Sequence, residues 1–182
     1  MSKRVAIVGS EGSKFQDDQQ YIVEALIQDI LCDAAGLVMG ESYRPKTEAI
    51  SVVSGRCPLG GVDVWAENVA QSIGCRTQIF PPKTNSWAAG YKPRNIQIAT
   101  VCTELHVIAV KELPPNWIGL AFETCYHCAR RKRLVSQGGS VPDHIKSGAC
   151  WTANVAQNQK KPIAFHVIGE YGDRVCARSV HL

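Results

Sequence analysis

The segment between Ser54 and Asn95 constrains the fold of this chain more than any other. A run of mostly β-branched residues, Ile50–Val53, leads into the turn S-G-R-C-P-L-G-G, and a helix with Asp63 in its first turn follows. This order places backbone N–H groups and a helix N-terminus at the end of a strand, where a phosphate can be held. A second loop, which ends in Arg94 and Asn95, can close over the same place. The segment therefore predicts an α/β domain that handles a nucleotide.

Apolar runs of strand length alternate with helical patterns along the whole chain. The predicted strands are Val5–Val8, Ile50–Val53, Thr77–Phe80, Leu105–Val110 and Ile163–Ile168. The predicted helices are Gln20–Ala34, Gly61–Ile73, Arg94–Cys102 and Thr152–Gln159. This alternation is typical of a single α/β domain with a mainly parallel sheet and helices on both faces, whose ligands bind at the carboxyl ends of the strands. The stretch from about 111 to 150 breaks the pattern and is predicted to be an insertion rich in Cys and His.

Length and charge narrow the class of protein. A chain of 182 residues is long enough for one compact domain with its own core. The net charge of +4 is too small to indicate nucleic-acid binding by itself, and the basic run Arg130–Arg133 is more typical of a solvated loop.

No stretch approaches the roughly 20 apolar residues that span a membrane, and the first apolar run is too short for a signal peptide. We expect a cytoplasmic protein whose eight cysteines are not paired in disulfides.

The first and last glycine turns are each compatible with a phosphate. Gly9 and Ser10 lie in V-G-S-E-G-S-K after the first strand, which matches neither the dinucleotide fingerprint nor the P-loop. Gly148 and Thr152 lie in S-G-A-C-W-T at a helix start, where N–H groups favour an anion. Both turns have a structural alternative: a tight strand-to-helix turn for the first, and helix caps at Ser147 and Thr152 for the last.

The middle turn and the loop after it give the stronger prediction. Gly55 and Gly61 permit a close backbone approach, and Asp63 can accept hydrogen bonds from ribose hydroxyls or cap its own helix. The loop W-A-A-G-Y-K-P-R-N offers Trp87 and Tyr91 for base stacking and Arg94 as a phosphate partner. The alternative for this loop is an ordinary helix start with Pro93 at its first position and Arg94 exposed.

A cysteine and histidine pattern predicts a metal site. Cys125 and Cys128 have the C-x-x-C spacing that suits a tetrahedral ion, and His144 and Cys150 complete a set of four ligands. His127 is an alternative to His144. Structural zinc is favoured over free thiols. A closed site of four ligands would connect the insertion to the last helix and would leave no position for a catalytic water, so the role of the metal would be structural.

Taken together, the motifs resemble the SLOG superfamily of Rossmann-like domains, which includes Lonely-guy phosphoribohydrolases, YspA-like proteins and DprA. The resemblance rests on V-G-S, S-G-x-x-x-x-G-G-V-D-x-x-A-E, G-Y-x-x-R-N and S-G-A-x-x-T-A-x-x-A, and it runs from Val5 to about Ile168 outside the insertion. It implies a nucleotide pocket, whose residues would be Gly9, Ser10, Ser54, Gly55, Gly61, Asp63, Arg94, Asn95, Gly148 and Thr152. The phosphoribohydrolases carry a catalytic glutamate three residues after a threonine, and Val155 stands at that place.

Three functions follow from these observations. The missing glutamate favours a protein that binds a nucleotide or a nucleotide derivative without turnover. The alternative is an N-glycosidase acting on a nucleoside monophosphate, in which Asp63 orients the ribose, Arg94 holds the phosphate, and Glu67 or Glu123 acts as acid or base, with Asp143 as a further candidate. The third is DprA-like binding of single-stranded nucleic acid through Arg130–Arg133, Tyr126 and Trp151. A homodimer is also expected from the resemblance.

Overall fold

Within the part of the chain that the structure describes, six strands form one sheet. The computed structural model describes residues 3–36, 50–119, 123–125, 128 and 141–169, and the backbone of 174–176. The strands are β1 (Lys3–Gly9), β2 (Ile50–Ser54), β3 (Arg76–Ile79), β4 (Glu104–Val110), β5 (Ile163–Ile168) and β6 (Arg174–Cys176). Their spatial order is β3-β2-β1-β4-β5-β6. The first five strands are parallel and β6 runs antiparallel to β5, so the sheet is mainly parallel as predicted.

Helices lie on both faces of this sheet, which confirms the predicted fold class. They are α1 (Gln19–Ala34), α2 (Val62–Ser72), α3 (Lys92–Val101) and α4 (Gly148–Asn158). A 3₁₀ turn (Gly12–Lys14) follows β1, and a π-helical turn (Trp87–Tyr91) leads directly into α3. Among the described residues, every helix is too short or too polar to cross a bilayer.

The alternation of side chains along β1 assigns the two cores. Val5 and Ile7 point to the face covered by α1 and α2, where they join a buried cluster with Ile27 and Trp65. Ala6 and Val8 point to the opposite face, covered by α3 and α4. Because both faces are buried, the central strands are continuous apolar runs, which is why the sequence pattern located them.

The structure differs from the sequence prediction at the start of α4 and at the edge of the sheet. The last helix begins at Gly148, four positions before the predicted Thr152, because the backbone of Ser147 is extended and the small residues after it continue the helix. The strand β6 was not predicted, since three residues at an edge give too little alternation to detect.

The insertion returns to the sheet through a short antiparallel contact. Thr124 and Ile145 form a bridge, the Lys146 amide donates to the Glu123 carbonyl at 3.0 Å, and the Cys125 amide donates to the His144 carbonyl at 2.7 Å. The Ile145 amide in turn donates to Val110 at the end of β4. These bonds place the described part of the insertion beside the N-terminus of α4. That the whole chain is one domain stays a prediction.

Candidate functional site

A cleft of about 1010 Å³ opens at the carboxyl end of β1. In this sheet, β1 and β4 are the neighbours at which the order of strands reverses, and this is the place where open α/β sheets bind ligands. The residues that line the cleft come from the ends of β1, the loops before and into α2 and α3, the insertion and the first turns of α4. They are Val8, Gly9, Glu11, Lys14, Cys57, Pro58, Leu59, Asp63, Asn85, Trp87, Tyr91, Arg94, Asn95, Glu123, Cys125, Lys146, Ser147, Gly148, Ala149, Cys150, Trp151 and Thr152.

Two glycines bring the first and second turns together at the floor of the cleft. Gly61 has φ +86°, and a Cβ atom there would lie 2.5 Å from the Ser10 carbonyl oxygen. The Val62 amide, at the start of α2, donates to the same oxygen at 3.2 Å. A Cβ on Gly9 would lie 2.5 Å from the Val62 side chain. Both glycines are therefore needed for the packing of backbone against backbone, whatever the ligand.

A buried network joins the helices around the cleft. Arg94 Nη1 donates to Asp63 Oδ2 at 3.2 Å and to the Gly55 carbonyl at 3.1 Å. Arg94 Nε and Nη2 donate to Asn95 Oδ1 at 3.0 and 2.9 Å, and Asn95 Nδ2 donates to the Gly148 carbonyl at 3.1 Å. A Cβ on Gly55 would lie 2.6 Å from the guanidinium carbon, so glycine leaves the space that the ion pair fills.

The environment of Asp63 raises the pKa of its carboxyl group. Burial is the largest cause, the Arg94 guanidinium opposes it, and the Glu67 carboxylate adds to it, with a resulting pKa of about 6. The side chain is 5% exposed at the head of α2. Asp63 is thus a carboxyl group whose charge changes close to neutral pH, and it faces the cleft from within an ion pair.

Ser54 and Glu67 form a second network behind the cleft. Ser54 Oγ donates to the Asp63 carbonyl at 2.9 Å and lies 2.8 Å from Glu67 Oε1. Glu67 Oε2 accepts from Arg56 Nε at 2.9 Å. Neither Ser54 nor Glu67 lines the cleft; both orient the turn between β2 and α2.

Aromatic side chains form one wall of the cleft. The rings of Trp87 and Trp151 meet edge to face with centroids 6.0 Å apart, and Lys92 Nζ lies 5.3 Å from the Trp151 ring centroid. The Arg94 guanidinium carbon lies 5.4 Å from the centroid of the Tyr91 ring. Trp87 is 45% exposed, so a planar ligand can reach its ring. The π-helical turn, capped by Ser86 Oγ at the Ala89 amide, holds Trp87 and Tyr91 toward the cleft.

The first turn of α4 also lines the cleft, and Asn95 connects it to the Arg94–Asp63 ion pair. Ser147 occupies the N-cap position, but its side chain makes no capping hydrogen bond. Thr152, which the sequence placed at the helix start, lies inside the helix, where its Oγ1 donates to the Gly148 carbonyl at 3.4 Å. The Cys150 amide donates to the Ser147 carbonyl at 3.1 Å, so the N–H groups of this turn that keep capacity for an anion are those of Gly148 and Ala149.

Lys14 is a residue of the cleft that sequence reasoning missed. It ends the 3₁₀ turn, is 4% exposed, and has Nζ 3.8 Å from Glu11 Oε1. Burial lowers its pKa, while Glu11, Cys150 and Cys57 act in the opposite direction. Its position in V-G-S-E-G-S-K was the available signal, since a cation in a glycine turn after a strand suits a phosphate. Ser10, predicted in the same turn, is buried and does not line the cleft.

The four predicted metal ligands lie together. One ligand atom from each of Cys125, Cys128, His144 and Cys150 falls within 4.8 Å of all the others, and all four residues are buried. Cys125 Sγ is 3.4 Å from Cys128 Sγ, and Cys150 Sγ is 3.5 Å from His144 Nε2. A tetrahedral ion would hold sulfur atoms about 3.8 Å apart. The cluster is therefore of the right size to hold a metal ion.

The tautomer of His144 also suits a metal. Its Nδ1 lies 2.7 Å from the Pro142 carbonyl oxygen, to which it donates as an N–H group. The Nε2 lone pair is then left free for an ion at the three sulfur atoms, the usual arrangement of a ligating histidine. Cys125 and Cys150 also line the cleft, so the cluster forms part of its wall.

The other residues predicted from the sequence differ in whether they line the cleft. Glu123 is exposed and lines the cleft, whereas Asp143 is exposed but does not line it. Val155, at the position where the phosphoribohydrolases carry a glutamate, also lies outside the lining. Tyr126, His127 and Arg130–Arg133 fall outside the described residues.

Comparison with solved structures finds two similar proteins. The first is the molybdenum cofactor carrier protein of Chlamydomonas reinhardtii, with 13% identity, a TM-score of 0.49, and coverage of 91% of this chain and 76% of that one. The second is DNA processing protein A (DprA) of Streptococcus pneumoniae, with 15% identity, a TM-score of 0.48, and coverage of 89% of this chain. This chain spans about half, 49%, of that DprA. No protein family and no curated protein matches the sequence.

Proposed function

We propose that the cleft binds a nucleotide or a nucleotide derivative and releases it unchanged. The observation that carries this proposal is the meeting of Trp87 and Trp151 with the uncapped first turn of α4 in one cleft. An aromatic wall suits a base, and helix N–H groups suit a phosphate. The volume of about 1010 Å³ is ample for a nucleotide.

The absence of turnover is inferred from how the predicted carboxylates are engaged. Asp63 is ion-paired with Arg94, and Glu67 is held by Ser54 and Arg56 away from the cleft. A glycosidase needs a carboxylate free to assist departure of the base or to activate water. Val155 supplies no such group at the position where the resembling hydrolases have one.

A nucleotide N-glycosidase is the second candidate, and Glu123 favours it. This side chain is exposed and lines the cleft, so it could meet a bound ligand directly. The two candidates differ in the fate of the ligand. A panel of nucleoside mono-, di- and triphosphates is incubated with the zinc-replete chain, and free base is separated by chromatography.

We expect that no base appears above the level in a protein-free sample. Release of base by the wild type, lost in Glu123→Gln, would replace the proposal with the glycosidase. Asp143→Asn is the matched control, since Asp143 is exposed in the same segment but outside the cleft.

We further propose that the Cys/His cluster binds Zn²⁺ in a structural role. Three thiolates and one imidazole form a closed set that suits zinc and leaves no position for a reacting water. The ion would fix the insertion to the first turn of α4, through Cys150, and so stabilise that side of the cleft. Nucleic-acid binding and the homodimer stay predictions, and a small molecule is the favoured partner.

A further inference from the structure

The charged side chains of the cleft balance one another. Among the described residues of the lining, three carry a positive charge and three carry a carboxylate. The cations are Lys14, Arg94 and Lys146, and the carboxylates are Glu11, Asp63 and Glu123. The formal charge of these six side chains is therefore zero. A site that holds a di- or triphosphate usually surrounds it with an excess of lysine and arginine side chains, or with a Mg²⁺ ion that carboxylates bind.

The two inner cations are engaged by carboxylates of the same cleft. Arg94 Nη1 lies 3.2 Å from Asp63 Oδ2, and Lys14 Nζ lies 3.8 Å from Glu11 Oε1. Arg94, Asp63 and Lys14 are buried, so water and salt screen these charges poorly. A ligand in the cavity therefore meets the negative charges of Asp63 and Glu11 together with the positive charges beside them.

The third pair lies on the insertion side of the cleft. Glu123 and Lys146 stand opposite each other in the antiparallel contact of the insertion, where the Lys146 amide donates to the Glu123 carbonyl at 3.0 Å. Side chains that lie directly opposite in such a contact are neighbours. Both are exposed, and both line the cleft. A ligand that meets the ammonium group of Lys146 therefore also meets the carboxylate of Glu123.

The metal cluster makes the cleft more negative. The proposed Zn²⁺ with three thiolates and one neutral imidazole has a net charge of −1, and two of the thiolates, those of Cys125 and Cys150, line the cleft. The start of α4 acts in the opposite direction. Its N–H groups, which include those of Gly148 and Ala149, are equivalent to about half a unit of positive charge and can bind phosphate oxygens directly. The described lining therefore suits a phosphate of low charge.

We propose that the cleft selects a nucleotide derivative whose phosphate is a diester with a single negative charge. The inference rests on the proposed function, since it names the class of nucleotide that the cleft takes. The N–H groups of Gly148 and Ala149 bind the diester, and the base contacts the aromatic wall. Each further negative charge on a ligand meets, in the described lining, only cations that have a carboxylate beside them, so it is repelled more than it is attracted.

The test varies the charge of the ligand while its base and ribose stay the same. For the base that binds best, the nucleoside, its 5′-monophosphate, the methyl ester of that monophosphate, and the 5′-di- and triphosphates are titrated into the zinc-replete full chain in a calorimeter. The methyl ester and the monophosphate have nearly the same shape and differ by about one charge at pH 7.5. Asp63, whose pKa is about 6, is ionised at this pH. Mg²⁺ is left out, so that it does not neutralise the longer ligands.

We expect the methyl ester to bind about 3- to 10-fold more tightly than the monophosphate, with a similar loss for each further charge. The nucleoside should bind at least about 10-fold more weakly than the methyl ester, because it lacks the group that the N–H groups bind. A triphosphate that binds as tightly as the methyl ester, or a nucleoside that does so, would overturn the inference and leave the proposed function standing. If the triphosphate also loses affinity as salt is raised, its cations lie outside the described residues. If no member of the series binds, the proposed function itself fails.

A charge reversal at the rim gives an independent readout. Glu123→Lys adds two positive charges to the cleft, and Asp143→Lys adds the same two charges on an exposed residue of the same segment that does not line it. The ratio of triphosphate to methyl ester affinity should rise by about 10-fold or more in Glu123→Lys and stay within about 2-fold in the control at 150 mM salt. An equal ratio in Glu123→Lys and the wild type would show that the charge of the lining does not select the ligand, which would overturn the inference.

Discussion

Arg94 Nη1 lies 3.2 Å from Asp63 Oδ2, and both side chains are buried. This ion pair connects the first turn of α2 to the first turn of α3, beside the turn between β2 and α2. Gly55 provides the space for it, and Asn95 extends it to α4. Two residues that the sequence assigned to ligand contacts therefore contribute first to the shape of the cleft.

The first prediction concerns the pH dependence of stability. The pKa of Asp63 is about 6 in the folded chain against 3.8 for an aspartate carboxyl group in water, so the folded state holds this proton more tightly than the unfolded state. The resulting stabilisation is complete below about pH 4 and is lost as the pH rises through 6. Between pH 4 and 7, the free energy of unfolding of the wild type should fall by about 3 kcal/mol relative to Asp63→Asn.

Urea unfolding at several pH values measures this difference. Asp17→Asn, at an exposed aspartate before α1, is the control and should run parallel to the wild type. If the difference in free energy of unfolding between the wild type and Asp63→Asn stays constant or changes in the opposite direction with pH, burial does not dominate the pKa of this carboxyl group.

The second prediction separates backbone strain from steric contact at the double glycine. Gly60 and Gly61 both have positive φ, at +71° and +86°, but a Cβ on Gly60 has nothing within 4 Å. Gly60→Ala should therefore cost about 1 kcal/mol of unfolding free energy, from strain alone. Gly61→Ala should cost at least about 2 kcal/mol more, because its Cβ meets the Ser10 carbonyl. If thermal or urea unfolding shows equal losses of unfolding free energy in the two variants, the first and second turns can move apart at little cost.

The third prediction tests the aromatic wall. Truncating Trp151 to Ala should weaken the best-binding nucleotide by about 5- to 100-fold, since stacking on one ring contributes about 1–3 kcal/mol. Trp87→Ala should have an effect of the same kind, because its ring is exposed beside Trp151. Trp117→Ala is the control, as Trp117 does not line the cleft. Full affinity in both cleft variants, measured by equilibrium dialysis, would place the base elsewhere.

The fourth prediction concerns the metal. Cys150→Ser should reduce bound zinc from about one per chain to near zero, because it removes one of four ligands. Loss of an ion present at about 1,000 times its dissociation constant lowers the free energy of unfolding by about 4 kcal/mol. Because Cys150 also lines the cleft, nucleotide affinity should fall with the metal.

Elemental analysis and thermal unfolding check this expectation. Cys32→Ser serves as the control, since Cys32 lies on α1 outside the cluster and the cleft. Metal content below a tenth of an ion per wild-type chain, after purification without chelators in zinc-containing medium, would contradict the proposed centre.

The sequence predicted the elements whose signal is local. Buried strands such as β1 and β4 are continuous apolar runs, and α1 repeats its apolar residues at helical spacing. The grouping of Cys125 with Cys128 follows from the C-x-x-C spacing alone. Whether zinc occupies that group stays a prediction.

The contacts that decide the site are not local, and this is why the sequence did not reveal them. Lys14 is separated in sequence from Cys57 and Cys150, and only the fold brings these three to one cleft. The hydrogen bond from Arg94 to Asp63 likewise joins residues of two helices. Because the sequence does not show this contact, it predicted the guanidinium as a phosphate partner. The early start of α4 was missed because Gly148 is a poor helix former that tertiary contacts keep in place.

Native mass spectrometry of the full chain, after incubation with zinc and the nucleotide panel, tests nucleotide binding without turnover. We expect a species whose mass is the sum of one chain, one zinc ion and one intact nucleotide, and this species should be lost in Trp151→Ala. A chain that carries zinc but no nucleotide, or one that carries only a ribose phosphate left by base release, would contradict it.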